Sequence, residues 1–207
     1  MPEIVKPMDI ENRSFQIITE LLGDRVLDAE NELVVKRVIH TTADFDYADN
    51  LCFSPRAVER GIAALRAGCD IVTDTQMARA GINKTVLGRL GGEVRCFMSD
   101  PDVAAEAKER GITRAMVSME RAAALEKPCI FAIGNAPTAL FTLFDLMMAG
   151  RLSPALIVGA PVGFVNVVES KEQIMTAEVP YIVARGRKGG SNVAAAICNA
   201  MLYQIAR

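Results

Sequence analysis

Cys129-Ile130-Phe131-Ala132-Ile133-Gly134-Asn135-Ala136-Pro137-Thr138 is the stretch whose reading decides the fold. Its opening run is apolar without alternation, as expected of a strand covered on both faces in a parallel sheet. Gly134 and Asn135 then turn the backbone, and Pro137 suits the first turn of a helix. The pattern predicts a strand over 129–134 and a helix over 136–149. Residues 129–148 are apolar enough to invite a membrane reading, but Gly134-Asn135-Ala136-Pro137 divides them and Asp145 lies in the second half. Strand, turn and helix is the better reading.

Outward from this unit, β-rich runs alternate with longer helical ones, the signature of βα units. Strands are predicted at 70–75, 94–99, 129–134, 155–159 and 181–185. Ser54-Pro55 reads as an N-cap followed by proline in the first turn of a helix that Gly68 closes. Asp100-Pro101 opens another, ended by Gly111. Further helices are predicted at 113–126, 136–149, 166–178 and 191–206, with two more near 14–22 and 31–40. The expected architecture is α/β: a doubly wound, mainly parallel five-stranded sheet with an N-terminal helical layer. No internal repeat interrupts it, and residues 1–207 read as a single domain.

Composition narrows function by exclusion. A chain of 207 residues, 51% hydrophobic, can fill one core. Its net charge of −2 provides no general field for nucleic acid or an anionic membrane, so an anionic ligand must meet local Arg and Lys clusters. The five cysteines lie far apart, with no Cys-x-x-Cys pair and a single histidine, which argues against a zinc site and for reduced structural thiols in the cytoplasm. Met1 to Pro7 lacks the apolar core of a signal peptide. The chain has neither Gly-x-x-x-x-Gly-Lys-Ser/Thr nor Gly-x-Gly-x-x-Gly, which disfavours nucleoside triphosphates and dinucleotides.

The polar residues gather just after the predicted strands, at what becomes one edge of a parallel sheet, where such folds bind ligands. Gly134-Asn135-Ala136-Pro137-Thr138 and Gly159-Ala160-Pro161-Val162-Gly163 would let a ligand approach backbone N–H groups at helix starts, or are tight turns without a ligand. Arg185 to Ser191 joins three cations and three glycines, an anion nest or a solvated loop. Asp74, at a strand end, has the chemistry of a general base, a phospho-acceptor or a helix cap, and its position favours the cap. The methionine pairs 116/119 and 147/148 read as core filling.

His40 ends the segment Leu33-Val34-Val35-Lys36-Arg37-Val38-Ile39-His40. As the chain's only histidine, it is the one imidazole able to move a proton near neutrality. Chemistry alone leaves it either structural or catalytic. Lys36 and Arg37 lie four and three residues before it on one helical face and would lower its pKa, whereas Asp44 or Asp46 would raise it if the chain folds back.

Five elements now align in order: Arg37-Val38-Ile39-His40-Thr41-Thr42-Ala43-Asp44, Phe53-Ser54-Pro55, the run from Asp74 to Ile82, Gly134 to Leu140, and Gly159 to Asn166. From about Ile10 to the C-terminus the chain resembles the precorrin-8X methylmutase and cobalt-precorrin-8 methylmutase family of corrin-ring biosynthesis. The resemblance implies a flavodoxin-like homodimer that moves a methyl group from ring carbon 11 to ring carbon 12 of a tetrapyrrole. It makes His40 the acid/base residue. It implies no metal ligand and no cofactor of the protein's own, any cobalt arriving inside the substrate, and no nucleic-acid or membrane partner.

A substrate with many carboxylate arms calls for several anion contacts. The substrate-binding candidates are Ser14, Arg37, Lys84, Arg114, the backbone at Asn135-Ala136 and at Val162-Gly163, and Thr73, placed to hold a water at a strand end. Ser14, Asn135 and Gly163 rest on motif position; Arg37, Lys84 and Arg114 rest on the suitability of cations for carboxylates. The run from Thr41 to Asp46 is more similar to the anaerobic, cobalt-containing branch. The rival reading of the same site is a non-catalytic corrinoid carrier, and a flavin protein is a third.

Overall fold

The computed structural model describes residue 6 and residues 9–206. In chain order the elements are α1 (Ile10–Leu22), α2 (Glu32–Thr42), α3 (Tyr47–Asn50), β1 (Leu51–Phe53), α4 (Ala57–Arg66), β2 (Asp70–Thr73), α5 (Gln76–Gly81), α6 (Lys84–Arg89), β3 (Val94–Arg95), α7 (Pro101–Arg110), α8 (Arg114–Ala123), β4 (Cys129–Ile133), α9 (Pro137–Met148), β5 (Leu156–Gly159), α10 (Val167–Met175), β6 (Tyr181–Ala184) and α11 (Ser191–Ala206). They build one mixed sheet in the order β1-β6-β5-β4-β2-β3.

The five expected strands are all present and pair in parallel. The sheet has six strands rather than five, because β1 adds to the edge antiparallel to β6, with Cys52 opposite Val183. A three-residue strand gives too little alternation to detect. It also overturns the Ser54 cap: Ser54 N–H donates to Tyr181 O at 3.0 Å and its Oγ accepts Tyr181 N–H at 2.9 Å, continuing the ladder. Helix α4 starts three residues later behind Arg56, which adopts φ +58°. Strand β3 is two residues long instead of six, pairing only at Ile71↔Val94 and Val72↔Arg95.

The strands alternate between two cores. Ile71, Ile130, Ala132, Leu156, Val158 and Ile182 pack with α2, α4 and α11 on one face. Val72, Phe131, Ile133, Ile157 and Val183 pack with α8 and α9 on the other. Both faces are therefore covered, which explains the unbroken apolar runs. The N-terminal layer forms as expected, with α2 against α11 and α1 against α2. Two short helices, α5 and α6, were not foreseen, although each has a side-chain cap: Thr75 Oγ1 accepts Ala78 N–H and Asn83 Oδ1 accepts Val86 N–H, both at 3.0 Å. No helix among the described residues is long and apolar enough to cross a membrane, and all five cysteines are free thiols.

Candidate active site

His40 occupies the last turn of α2, where all six preceding residues, Val34 to Ile39, are buried while the imidazole itself is exposed. Its ring meets the Phe15 ring of α1 edge-on, with centroids 5.8 Å apart. Beside it opens a cavity of about 320 Å³. Arg37, His40 and Thr41 of α2 form one wall, Gly81 at the end of α5 another, and α11 the floor through Asn192, Ala195, Ala196, Asn199 and Tyr203. Among the described residues no group hydrogen-bonds the imidazole, so both ring nitrogens are available to a ligand.

Asn192, Ala196, Asn199 and Tyr203 recur at helical spacing and share one face of α11. Sequence reasoning missed them. The signal was present, since Asn192, Asn199 and Tyr203 fall on a single stripe of a mainly apolar helix. Asn199 also fixes the opposite wall: its Oδ1 accepts Asn83 N–H and its Nδ2 donates to Gly81 O, both at 2.8 Å.

Arg37 reaches this cavity, but not as a free carboxylate receptor. Its Nη1 and Nη2 donate to Glu11 at 2.8 and 2.7 Å, and its guanidinium lies between the Phe15 and Tyr203 rings, 5.0 and 4.9 Å from their centroids. Only Nε is buried without a partner. The bidentate role expected for a substrate arm is taken by Glu11. Lys36 is likewise paired, with Glu32 one turn earlier.

The carboxyl edge of the sheet departs further from expectation. Asp74 is fully buried at the end of β2. Its Oδ1 accepts Gly134 N–H at 2.8 Å, and its Oδ2 accepts Asn135 N–H at 2.8 Å and Ala136 N–H at 2.6 Å. Burial pushes its carboxyl up, and the three donors pull it back. Asp74 therefore caps no helix, contrary to expectation: it ties the loop before α9 to the end of β2, while Thr75 caps α5. The same bonds correct another expectation: the N–H groups of Asn135 and Ala136 are occupied, and only the Asn135 side chain stands exposed. Gly134 permits this packing, because a Cβ there would come within 2.6 Å of Ser191 Cα.

Thr73 is also corrected. It is completely buried, away from any substrate-bound water, and its one hydroxyl proton is shared between Thr75 O at 3.1 Å and Arg95 O at 3.3 Å. Gly163 N–H donates to Arg187 O at 3.2 Å, while Val162 stands exposed beside it. Ser14 is half-buried on α1, one residue from Phe15. Lys84 is exposed at the start of α6, its Nζ 3.3 Å from Ala80 O. Arg114 lies at the start of α8 on the far face of the sheet, with Nη1 3.5 Å from Met98 O, and does not enter the His40 cavity.

The three cations of 185–191 are not an open nest. Arg185 pairs with Glu172, Nε to Oε1 at 2.8 Å; Arg187 lies over the Phe164 ring, 5.5 Å from its centroid; and Lys188 binds Asp44 and Asp46. The chain after His40 does fold back, but its carboxylates turn to Lys188, which holds the Asp44 carboxyl below its usual value. Among the described residues no group of three His, Cys, Asp or Glu is placed to hold a metal ion.

Comparison with known proteins bears on the fold and the family. The chain is 48% identical to the cobalt-precorrin-8 methylmutase of Salmonella typhimurium over 211 residues, covering 99% of each chain. It is 46% identical to that of Priestia megaterium, over 97% of this chain and 89% of the other. The crystal structure of a precorrin-8x methyl mutase from Thermus thermophilus matches with a TM-score of 0.87 at 39% identity, covering 96% of this chain and 98% of the other. Fold and relatives together define an α/β isomerase. The precorrin-8X methylmutase model matches residues 9–204, and the chain belongs to that family, the methylmutase isomerases of cobalamin biosynthesis.

Proposed function

We propose that the protein moves a methyl group from ring carbon 11 to ring carbon 12 of cobalt-precorrin-8, giving cobyrinate, with His40 as general acid and base. The observation that carries this is the exposed imidazole of the chain's only histidine, with no hydrogen bond among the described residues, on the wall of the α11 cavity. Protonation of the conjugated ring at its migrating edge makes it electron-poor. The bond from carbon 11 to the methyl then breaks as the bond to carbon 12 forms, and the imidazole recovers its proton. The chemistry asks for no cofactor resident in the protein; the cobalt belongs to the substrate.

A cavity of about 320 Å³ suits an edge of the macrocycle rather than the whole disc. The remainder, with its arms, extends toward Ser14, Lys84, the Asn135 side chain and the exposed Val162-Gly163 turn, with Arg114 serving an arm that crosses the sheet edge. Residues 1–207 act as one methylmutase domain, as a homodimer in the cytoplasm. The flavodoxin-like description applies to the parallel strands, supported by their order β3-β2-β4-β5-β6. Cobalt-precorrin-8 is favoured over the metal-free ring by the run from Thr41 to Asp46. Incubation of purified protein with cobalt-precorrin-8, followed by absorption, tests the reading. Conversion at catalytic protein concentration supports it; unchanged substrate at stoichiometric protein overturns it in favour of a carrier.

A further inference from the structure

Helix α2 stops two residues past His40, at a position where Ala43 takes φ +54°, a left-handed conformation that alanine rarely adopts. The following turn is tied to itself, Asp44 N–H to Thr42 Oγ1 at 3.2 Å and Asp46 N–H to Asp44 Oδ1 at 3.0 Å. It is closed from a distant part of the chain by Lys188, whose Nζ lies 2.6 Å from both Asp44 Oδ2 and Asp46 Oδ2.

Lys188 is itself held from beneath. Lys171 of α10 is fully buried, and its Nζ donates to Gly186 O and Lys188 O, both at 2.8 Å. Among the described residues Lys171 has no acidic partner, and burial pushes its ammonium down to about 8. A buried cation without a counter-ion opposes folding, so this one needs a reason beyond stability. The reason on view is the loop it grips, whose next side chain reaches the segment behind His40.

We propose that Lys188, held in place by Lys171, is a positioning residue for His40: it pins the turn that ends α2 and offsets the charge of Asp44 and Asp46 behind the imidazole. The inference rests on the reading of His40 as the proton-transfer group. The other cations near His40 each have partners of their own. On α2 itself Lys36 pairs with Glu32, and Arg37 pairs with Glu11 of α1. Arg13 of α1 pairs with Glu20 at 3.7 Å, Arg79 of α5 points its Nε at Val94 O, 3.3 Å away, and α11 carries no charged residue. Lys188 is the cation that faces both carboxylates of the turn after His40, while Arg25 holds only the Phe45 carbonyl of that turn, at 3.4 Å.

The single histidine gives one imidazole C2–H resonance, so its titration can be followed by NMR without substrate. Lys188→Met is expected to raise the midpoint and to lower kcat about tenfold or more, with KM changed less than about twofold, the pattern of a displaced proton-transfer group. Adding Asp44→Asn and Asp46→Asn to that variant should return the midpoint toward its starting value. Lys171→Met, which leaves the Lys188 side chain in place, should lower kcat in the same direction. An unmoved midpoint in Lys188→Met, or a kcat unchanged in both lysine variants, overturns the proposal. Normal turnover in His40→Asn overturns the His40 reading instead, and leaves the NMR result standing.

Discussion

Glu11 and Arg37 form a two-pronged ion pair at 2.7 and 2.8 Å, with the guanidinium between the rings of Phe15 and Tyr203. The pair sets the wall of the His40 cavity, and its Arg37 side chain is only 10% exposed. Removing the carboxylate alone strands a buried cation. Glu11→Ala is expected to cost about 2–4 kcal/mol in urea unfolding. Arg37→Met combined with Glu11→Ala should be more stable than Glu11→Ala by itself. Strict additivity of the two changes would show that the pair does not act as a unit.

Asp74 has a structural task that a catalytic reading would mistake. Its carboxylate serves three backbone donors in a buried place, so Asp74→Ala leaves all three without an acceptor and should cost about 3–5 kcal/mol. For a chain of this size that is a fall in Tm of roughly 6–20 °C. Asp74→Asn retains one carboxamide oxygen and should fall between this variant and the parent. Turnover of the Asn variant, assayed at a temperature where it is folded, should stay within about threefold of the parent, since general catalysis is worth about a hundredfold or more. A deeper loss would mean that Asp74 takes part in proton transfer.

The parallel strands and their covering helices were legible because burial on both faces writes itself as unbroken apolar runs, as in Cys129 to Ile133. Strand β1 was not, since Leu51 to Phe53 is strand by virtue of its pairing with β6, a contact about 130 residues away in sequence. His40 was legible as the only imidazole. What the sequence could not reveal was competition for the candidate ligands. Arg37 meets Glu11, Thr73 meets two carbonyls, and the Asn135 and Ala136 N–H groups meet Asp74, all through contacts that only the folded chain makes. The face of α11 was passed over for a different reason: Asn192, Asn199 and Tyr203 share one stripe in the sequence, but only α2 and α5 laid against it make that stripe the floor of a cavity.

Lys171 predicts how stability responds to alkali. Its ammonium is pushed down to about 8 by burial, below the ordinary lysine value near 10.5 that the unfolded chain keeps. Between about pH 8 and 10.5 the unfolded chain therefore holds the proton more firmly than the folded one, and stability from this group rises with pH across that window. It is lost again as pH falls through 8. Urea unfolding at pH 7.5 and 9.5 should show a rise of about 1–2 kcal/mol attributable to Lys171. In Lys171→Met that component should vanish, with stability at pH 7.5 equal to or above the parent's. A marked loss of stability in this variant at pH 7.5 would show that the two carbonyl bonds outweigh the burial of charge.

His40 offers the most direct separation of chemistry from architecture. The side chain is exposed, touches Phe15 only by a ring edge, and has no hydrogen bond among the described residues to lose. His40→Asn should therefore shift stability by no more than about 0.5 kcal/mol. Ring binding, followed by the change in corrinoid absorption on titration with protein, should remain within a few-fold, because α11 and the Arg37–Glu11 wall are untouched. The rearrangement should slow by about a hundredfold to ten-thousandfold, the range expected when a positioned acid is removed. The decisive comparison is kcat against binding in the same variant. A parallel loss of both would make His40 a contact for the substrate, whereas retained binding with lost turnover assigns it the proton.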